Sequence, residues 1–77
     1  MVFPNPVHDL VQVLYTAKTN EDVIIQIEDV SGRKIITQQL NSGVQTAIDM
    51  SNLVPGVYIY RISEGSRVTM IGKITKD

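Results

Sequence analysis

The sequence predicts a small all-β domain, an antiparallel sandwich or small barrel of about six to seven short strands. Ten Val and ten Ile stand against four Leu and two Ala, and β-branched side chains suit a pleated sheet better than a helix. Turn signals containing Gly or Pro recur at intervals of roughly 8–12 residues, as in sandwiches and small barrels. Several strand candidates are apolar on both faces, so we expect two layers rather than one sheet. The 77 residues are enough for one core only.

The N-terminal part is predicted to contain a lead-in, a strand and a loop. Pro4 and Pro6 push the residues before them towards extended geometry and remove ladder donors, so this stretch suits a lead-in or a sheet edge. Residues 9–16 are the first strand candidate, with apolar groups on both faces. Residues 17–22 form a polar loop.

The clearest strand pattern lies at residues 23–30. Its apolar face consists of Val23, Ile25 and Ile27, and its polar face of Gln26 and Glu28. Residues 29–32 have Asp first and Gly fourth, which favours a type I turn. Residues 33–40 are then expected to return as the hairpin partner.

The middle of the chain predicts a second hairpin loop and one helical turn. Residues 41–43 fit a three-residue hairpin loop in which Gly43 is left-handed, and residues 44–48 follow as a short strand. Asp49 is placed to cap a single helical turn over residues 49–53.

The C-terminal part predicts two further strands. Residues 57–63 are apolar on both faces, which indicates burial between layers. Residues 64–67 place Gly65 first of the two central turn positions, the type II′ hairpin pattern, and residues 68–75 close the chain. We expect one core to contain Ile25, Ile27, Tyr58 or Ile59, and Ile62.

Composition excludes several classes of function. Seven Lys and Arg against eight Asp and Glu give a net charge of −1, which argues against a nucleic-acid binder or a polybasic membrane binder. There is no Cys, hence no disulfide, thiolate nucleophile or Cys metal site. No apolar run approaches the roughly 18–20 residues of a transmembrane helix. The start, Met1-Val2-Phe3-Pro4, has no signal-peptide pattern and predicts a fragment cut at a domain boundary.

No residue pattern indicates an enzyme or a cofactor. His8 is the only histidine and is expected to be a solvated loop residue, and no spacing gathers the carboxylates that zinc would need beside it. Glu28 and Asp29 are strand neighbours and point to opposite faces, so they cannot act as one acid–base pair. Calcium at a loop stays open, although residues 29–33 lack the spaced carboxylates of an EF-hand loop.

Two surface features have both a functional and an ordinary interpretation. Tyr15, Tyr58 and Tyr60 could line a sugar-binding face, but ordinary strand packing is the stronger interpretation. Lys73 and Lys76 could belong to a binding site or simply protect a sheet edge. From these residues alone, the prediction is a small non-enzymatic β-sandwich.

Four motifs in order carry a family resemblance. They are FPNPV at 3–7, VIIQIEDVSGR at 23–33, IDMSNLVPGVY at 48–58 and KITK at 73–76. Together they resemble the type A C-terminal sorting domain of the type IX secretion system, also called the Por secretion tail domain. Each motif is weak alone, but four in this order and spacing are specific. The final Asp77 departs from the basic or apolar ends that are more common in that family.

The resemblance implies an immunoglobulin-like seven-stranded sandwich and an address function. Such domains end cargo proteins of Bacteroidetes that enter the periplasm through a signal peptide. The type IX translocon then carries the cargo across the outer membrane, and a sortase-like surface peptidase usually removes the domain. In this chain, the resemblance implies a linker remnant at residues 1–8, with the cut upstream of or near Phe3, and the sorting sandwich at residues 9–77.

The residues expected to meet the translocon follow from the motifs. They are Pro4, Asn5, Pro6, Gly56, Tyr58, Lys73 and Lys76. Gly56 is expected to have positive φ or to permit close backbone approach. Residues 68–75 are expected to form an edge strand that a receptor could extend by backbone pairing, and the two lysines, three apart, should point to opposite faces.

A rival hypothesis is a small adhesive or carbohydrate-binding module with the same fold. Such a module would need exposed aromatic side chains on one face to stack against sugars. Only 5% of the residues are aromatic and none is Trp, which favours the sorting domain.

Overall fold

Seven strands and no helix make up the computed structural model, which describes all 77 residues. The strands are β1 (Val2–Phe3), β2 (Leu10–Val13), β3 (Val23–Asp29), β4 (Lys34–Leu40), β5 (Thr46–Asp49), β6 (Gly56–Glu64) and β7 (Arg67–Lys76). They form a three-stranded antiparallel sheet, β1-β2-β5, and a four-stranded antiparallel sheet, β4-β3-β6-β7. The predicted small antiparallel β-sandwich is confirmed.

The core lies between the two sheets and is built from alternate strand positions. Its twelve buried hydrophobic residues are Val7, Val11, Val13, Val23, Ile25, Ile27, Leu40, Ile48, Met50, Tyr58, Ile62 and Ile74. The prediction that Ile25, Ile27 and Ile62 share one core is therefore confirmed. Of the two alternatives, Tyr58 joins them, whereas Ile59 points to the other side of β6 and is half-buried.

Two of the three predicted hairpins, those at residues 29–32 and 64–67, are present. In the β3–β4 turn, the Gly32 N–H donates to the Asp29 carbonyl at 3.0 Å, and the Asp29 carboxylate accepts from the Ser31 and Arg33 N–H groups at 3.0 Å each. In the β6–β7 turn, Gly65 has φ +60° while no non-glycine residue has positive φ, which agrees with type II′. A Cβ at Gly65 would meet the carboxylate of the exposed Glu21 side chain, which can move away, so the positive φ is what requires glycine there.

The predicted hairpin at residues 41–43 is wrong. Gly43 is left-handed as expected, with φ +76°, but β4 and β5 belong to different sheets, and β5 pairs with β2. The loop instead crosses between the sheets, where the Gly43 N–H donates to the Tyr15 carbonyl at 2.9 Å. This crossing lets Ile48 and Met50 close the core from the other layer.

The predicted helical turn at residues 49–53 is also wrong. The Asp49 carboxylate does accept from the Ser51 N–H, at 2.8 Å, and the Leu53 N–H donates to the Met50 carbonyl at 3.1 Å. These bonds close a tight turn that does not continue into a helix, because Pro55 has no N–H to extend one.

The expectation that β6 is buried on both faces holds for only one face. Tyr58 and Ile62 point into the core, but Val57 is 38% exposed on the other side. Strand β6 is central within its sheet, yet only one side of that sheet is covered by the second layer. Neighbouring strands, rather than a third layer, provide the partial burial of Ile59.

The first eight residues pack into the sandwich. Strand β1 is an edge of the three-stranded sheet, as expected for a segment running into prolines. The Phe3–Pro4 and Asn5–Pro6 peptide bonds are both cis. Val7 is completely buried and forms a parallel bridge with Lys76, so the segment crosses from one sheet to the other.

Candidate recognition site at the chain ends

The predicted site residues meet at one end of the sandwich. The Asn5 side chain bonds to the backbone of β7, and Gly56 lies opposite Lys76 in the β6–β7 ladder. Tyr58 lies opposite Asp29, where the β3–β4 turn begins. All four sequence motifs thus reach this place, which we name the terminal end (Pro4–Val7, Asp29–Arg33, Gly56–Tyr58 and Lys73–Asp77).

Asn5 holds the last strand through both atoms of its amide. Its Nδ2 donates to the Lys73 carbonyl and its Oδ1 accepts from the Thr75 N–H, each at 3.0 Å. A side-chain amide with one donor and one acceptor used in this way takes the part of a peptide group in a sheet ladder. The flanking Pro4 and Pro6 have no N–H, so the side chain supplies the donor that their backbone lacks.

The ladder continues from the side chain of Asn5 to the backbone of Val7. The Val7 N–H donates to the Thr75 carbonyl at 2.8 Å, and the Asp77 N–H donates to the Val7 carbonyl at 3.0 Å. Strand β7 is an edge strand of its sheet, as predicted. Its outer edge from Lys73 to Asp77 is nevertheless already paired, so the edge is not open along the whole of residues 68–75.

Gly56 was expected either to have a positive φ or to permit close backbone approach, and the structure shows the positive φ. Its φ is +153°, and a Cβ added there would meet no atom within 4 Å. The requirement for glycine is therefore conformational, because an L side chain rarely adopts this backbone geometry. The residue starts β6 immediately after Pro55.

Tyr58 supports this turn from inside. Its side chain is only 4% exposed, and its hydroxyl donates to the Val54 carbonyl at 2.6 Å. A buried phenol with its hydrogen bond satisfied contributes packing and holds the loop that enters β6. Tyr58 therefore shapes the terminal end without being available to a partner.

The two lysines differ sharply in exposure. They point to opposite sides of β7, as expected from their spacing. Lys73 is exposed and lies within no ion pair, whereas Lys76 is 7% exposed and its Nζ donates to the Asp77 carbonyl oxygen at 3.0 Å. Lys76 is therefore not an exposed charge, because alternate residues of β7 face the core. Only Lys73 is free to meet a partner.

Comparison with known protein families decides the identity of the chain. A family model described as "Secretion system C-terminal sorting domain" matches residues 1–77. The chain belongs to this sorting-domain family. Searches of curated proteins and of solved structures give no match. As a type IX secretion sorting domain, it belongs to a class of export signals rather than to an enzyme family.

The sorting domain contains no cluster of metal-ligating side chains. No three His, Cys, Asp or Glu side chains are grouped in a way that could hold a metal ion. His8 is 80% exposed, and its Nδ1 lies 3.3 Å from the Asp77 carboxylate at the chain end. No helix is long and apolar enough to cross a membrane.

The opposite end of the sorting domain carries a buried carboxylate that the sequence did not single out. Glu64 is 4% exposed and accepts from the Tyr15 hydroxyl at 2.5 Å and from the Thr19 hydroxyl at 2.9 Å. The backbone N–H groups of Lys18 and Thr19 also donate to it, at 3.0–3.2 Å. We name this cluster of Tyr15, Lys18, Thr19 and Glu64 the Glu64 end.

Hydrogen bonding keeps Glu64 ionised. The bond from Tyr15 is the largest cause, and together with the bonds from Thr19 and Lys18 it lowers the pKa of Glu64 to about 2, against the opposite effect of desolvation. The same bond raises the pKa of Tyr15. In the sequence, Glu64 stands out only as the first residue of a turn, because the groups that donate hydrogen bonds to it lie 45–49 positions away.

The three tyrosines do not form a sugar-binding face. Tyr58 is buried, Tyr60 packs against the core, and Tyr15 bonds to Glu64 at the other end. A cavity of about 540 Å³ beside Tyr15 is lined by Met1, Leu14, Tyr15, Thr16, Lys18, Thr19, Glu64, Arg67, Val68, Thr69 and Met70. Its only aromatic residue is Tyr15, so it offers no second ring for stacking.

Proposed function

We propose that the terminal end is the surface by which the type IX translocon selects the cargo attached to this domain. The observation that supports the proposal is the convergence of all four motifs at one place, although they are spread from residue 3 to residue 76. Packing alone would not require the motifs of an export signal to share one end. The chain's place in a family of sorting signals supplies the kind of partner.

The terminal end divides into residues that shape it and residues that can touch a partner. Tyr58 and Lys76 are buried, so they support the surface from within. Pro4, Pro6 and Lys73 are exposed and are proposed to contact the translocon. Asn5 and Gly56 are exposed as well, but their main contribution is to hold the backbone in place.

The proposed route follows that of the family. A cargo protein precedes the domain, reaches the periplasm, and is delivered through the outer membrane to the cell surface or the medium. A sortase-like peptidase then removes the domain. We place the cut upstream of Val2, because Val2 and Phe3 are paired with β2 and a peptidase needs an extended, unpaired segment.

The test is a reporter protein fused to the complete domain in a host that has a type IX system. Lys73→Glu should leave the reporter in the periplasm, because it reverses an exposed, unpaired charge at the terminal end, while exposed charges contribute little to stability. Lys73→Arg is the matched control and should be exported. Surface labelling and periplasmic fractionation measure the outcome. Normal export of Lys73→Glu would contradict the proposal.

Deleting residues 73–77 is not a clean test of recognition. From the sequence alone, the remaining sandwich would be expected to fold largely intact. The deletion removes Ile74, which is completely buried, together with the backbone groups that Asn5 and Val7 bind. We now expect this truncation to unfold the domain and to fail in export for that reason.

A further inference from the structure

The side of the four-stranded sheet that faces away from the core is uncovered. We call it the outer face and define it by the strand residues Ile24, Gln26, Glu28, Lys34, Thr37, Gln39, Val57, Ile59, Arg61, Ser63, Val68, Ile71, Lys73 and Thr75, which follow from the strand register. One row across all four strands runs Lys34, Glu28, Ile59, Lys73, and the next runs Thr37, Gln26, Arg61, Ile71.

Apolar side chains on the outer face concentrate on β6 and β7. Ile71 is 61% exposed, Val68 47% and Val57 38%, and Ile59 is half-buried between them. Branched apolar side chains exposed together within regular strands are a mark of an interaction site. Lys73 lies directly opposite Ile59 and next to Ile71 on the same face of β7, with Val57 diagonally across from it, whereas Val68 lies farther along the strand.

The outer face is positively charged within a chain whose net charge is −1. Its charged strand residues are three cations, Lys34, Arg61 and Lys73, and one carboxylate, Glu28. Arg61 is paired with Glu28 at 2.8 Å, whereas neither Lys34 nor Lys73 lies in an ion pair. Such a face complements an acidic partner, and a second copy of the same face would bring like charges together.

Near its C-terminus, β7 has neither an open backbone edge nor an exposed inner face. The outer edge of β7 from Lys73 to Asp77 is bonded to Asn5 and Val7. Ile74 and Lys76 point into the sandwich. What β7 still presents to solvent near its C-terminus is the outer face, above all Ile71 and Lys73.

We propose that the outer face of β6 and β7 is the docking surface for a translocon protein that presents carboxylates beside an apolar patch. The inference rests on the proposed function. It adds the face of the domain that the partner contacts and the chemistry that the partner recognises. Ile71, Ile59 and Val57 supply the desolvated centre, and Lys73 supplies the charge that orients the partner.

The experiment compares two exposed apolar residues on opposite sides of the sandwich in the reporter fusion. Ile71→Thr removes apolar area from the outer face and keeps β-branching, and Leu10→Thr removes apolar area from the three-stranded sheet, where Leu10 is 47% exposed. Ile71→Thr should lower the surface-exposed reporter at least about tenfold, as expected for a central contact. Leu10→Thr should be exported at the wild-type level. Thermal melting of the isolated domains verifies that both variants fold. If Ile71→Thr does not fold, Val57→Thr takes its place.

Each outcome separates this inference from the proposed function. Wild-type export of both Ile71→Thr and Val57→Thr, with Lys73→Glu still blocked, overturns the docking face and leaves the terminal end in place. Equal losses in Leu10→Thr and Ile71→Thr also overturn it. Failure of the wild-type fusion overturns both proposals. Binding of the domain to phosphatidylglycerol vesicles that is lost in Ile71→Thr would assign the face to a lipid surface instead of a protein and overturn the choice of partner.

Discussion

The two ends of the sandwich are held together by different physical means. At the terminal end, neutral amide groups of Asn5 and Val7 extend the sheet ladder along β7. At the Glu64 end, one buried carboxylate gathers hydroxyl and backbone donors from a loop more than forty residues away. The first arrangement depends on geometry and the second on charge. Acid should therefore loosen the Glu64 end and leave the bonds of Asn5 and Val7 to β7 intact.

The largest expected effect comes from a substitution in the hydrophobic core, which supports both ends of the sandwich. Ile27→Ala should cost about 2–5 kcal/mol in the free energy of unfolding, close to the whole stability of a domain this small, which is about 3–5 kcal/mol. Ile59→Ala, on the half-buried outer side of a neighbouring strand, should cost distinctly less. Urea unfolding measures both. Equal costs would contradict the assignment of the core.

The next prediction concerns acid and the Glu64 end. The pKa of Glu64 is lowered from 4.5 to about 2 in the folded chain, so its stabilisation is complete above pH 4.5 and is lost as pH falls towards 2. The melting temperature of the wild type should fall across this window. In Glu64→Gln the melting temperature should be lower at neutral pH and should change less over the same range. Parallel curves for the two proteins would remove Glu64 as the cause.

A substitution at the terminal end should respond to acid in the opposite direction, with a melting temperature that approaches that of the wild type as the pH falls. Asn5→Asp loses the donor to the Lys73 carbonyl and sets a carboxylate against that oxygen, at a cost of about 1–3 kcal/mol near neutral pH. Protonation restores an O–H donor, so the difference from wild type should shrink in acid. Melting from pH 7 to pH 3 measures it. A gap that stays constant with pH would show that the Asn5 amide does not hold β7.

The smallest expected effects distinguish the two lysines. Lys73→Glu should change stability by no more than about 0.5 kcal/mol, because the side chain is exposed and unpaired. Lys76→Glu should cost more, about 1–3 kcal/mol, since it places an acid where a buried ammonium now donates to a carbonyl. Chemical denaturation of the two variants side by side gives the comparison. Equal stability of both would contradict the burial of Lys76.

Several local features could be predicted from sequence because neighbouring residues determine them. The alternation from Val23 to Ile27 selects one buried face whatever the strand pairs with. The turns at Gly32 and Gly65 follow from the residues within four positions of each. The family motifs likewise could be read as a linear order, and the match over residues 1–77 confirmed the family that they indicated.

The arrangement of the candidate site was decided only by the tertiary structure. The same short pattern at 44–48 would suit pairing with β4 or with β2, and the need to close the core with Ile48 and Met50 selects β2. Asn5 meets Thr75 across 70 positions, and Glu64 meets Tyr15 across 49. Local sequence specifies backbone geometry over a few residues. Which distant groups then meet depends on how both sheets bury their apolar faces together, and that choice is a property of the whole chain.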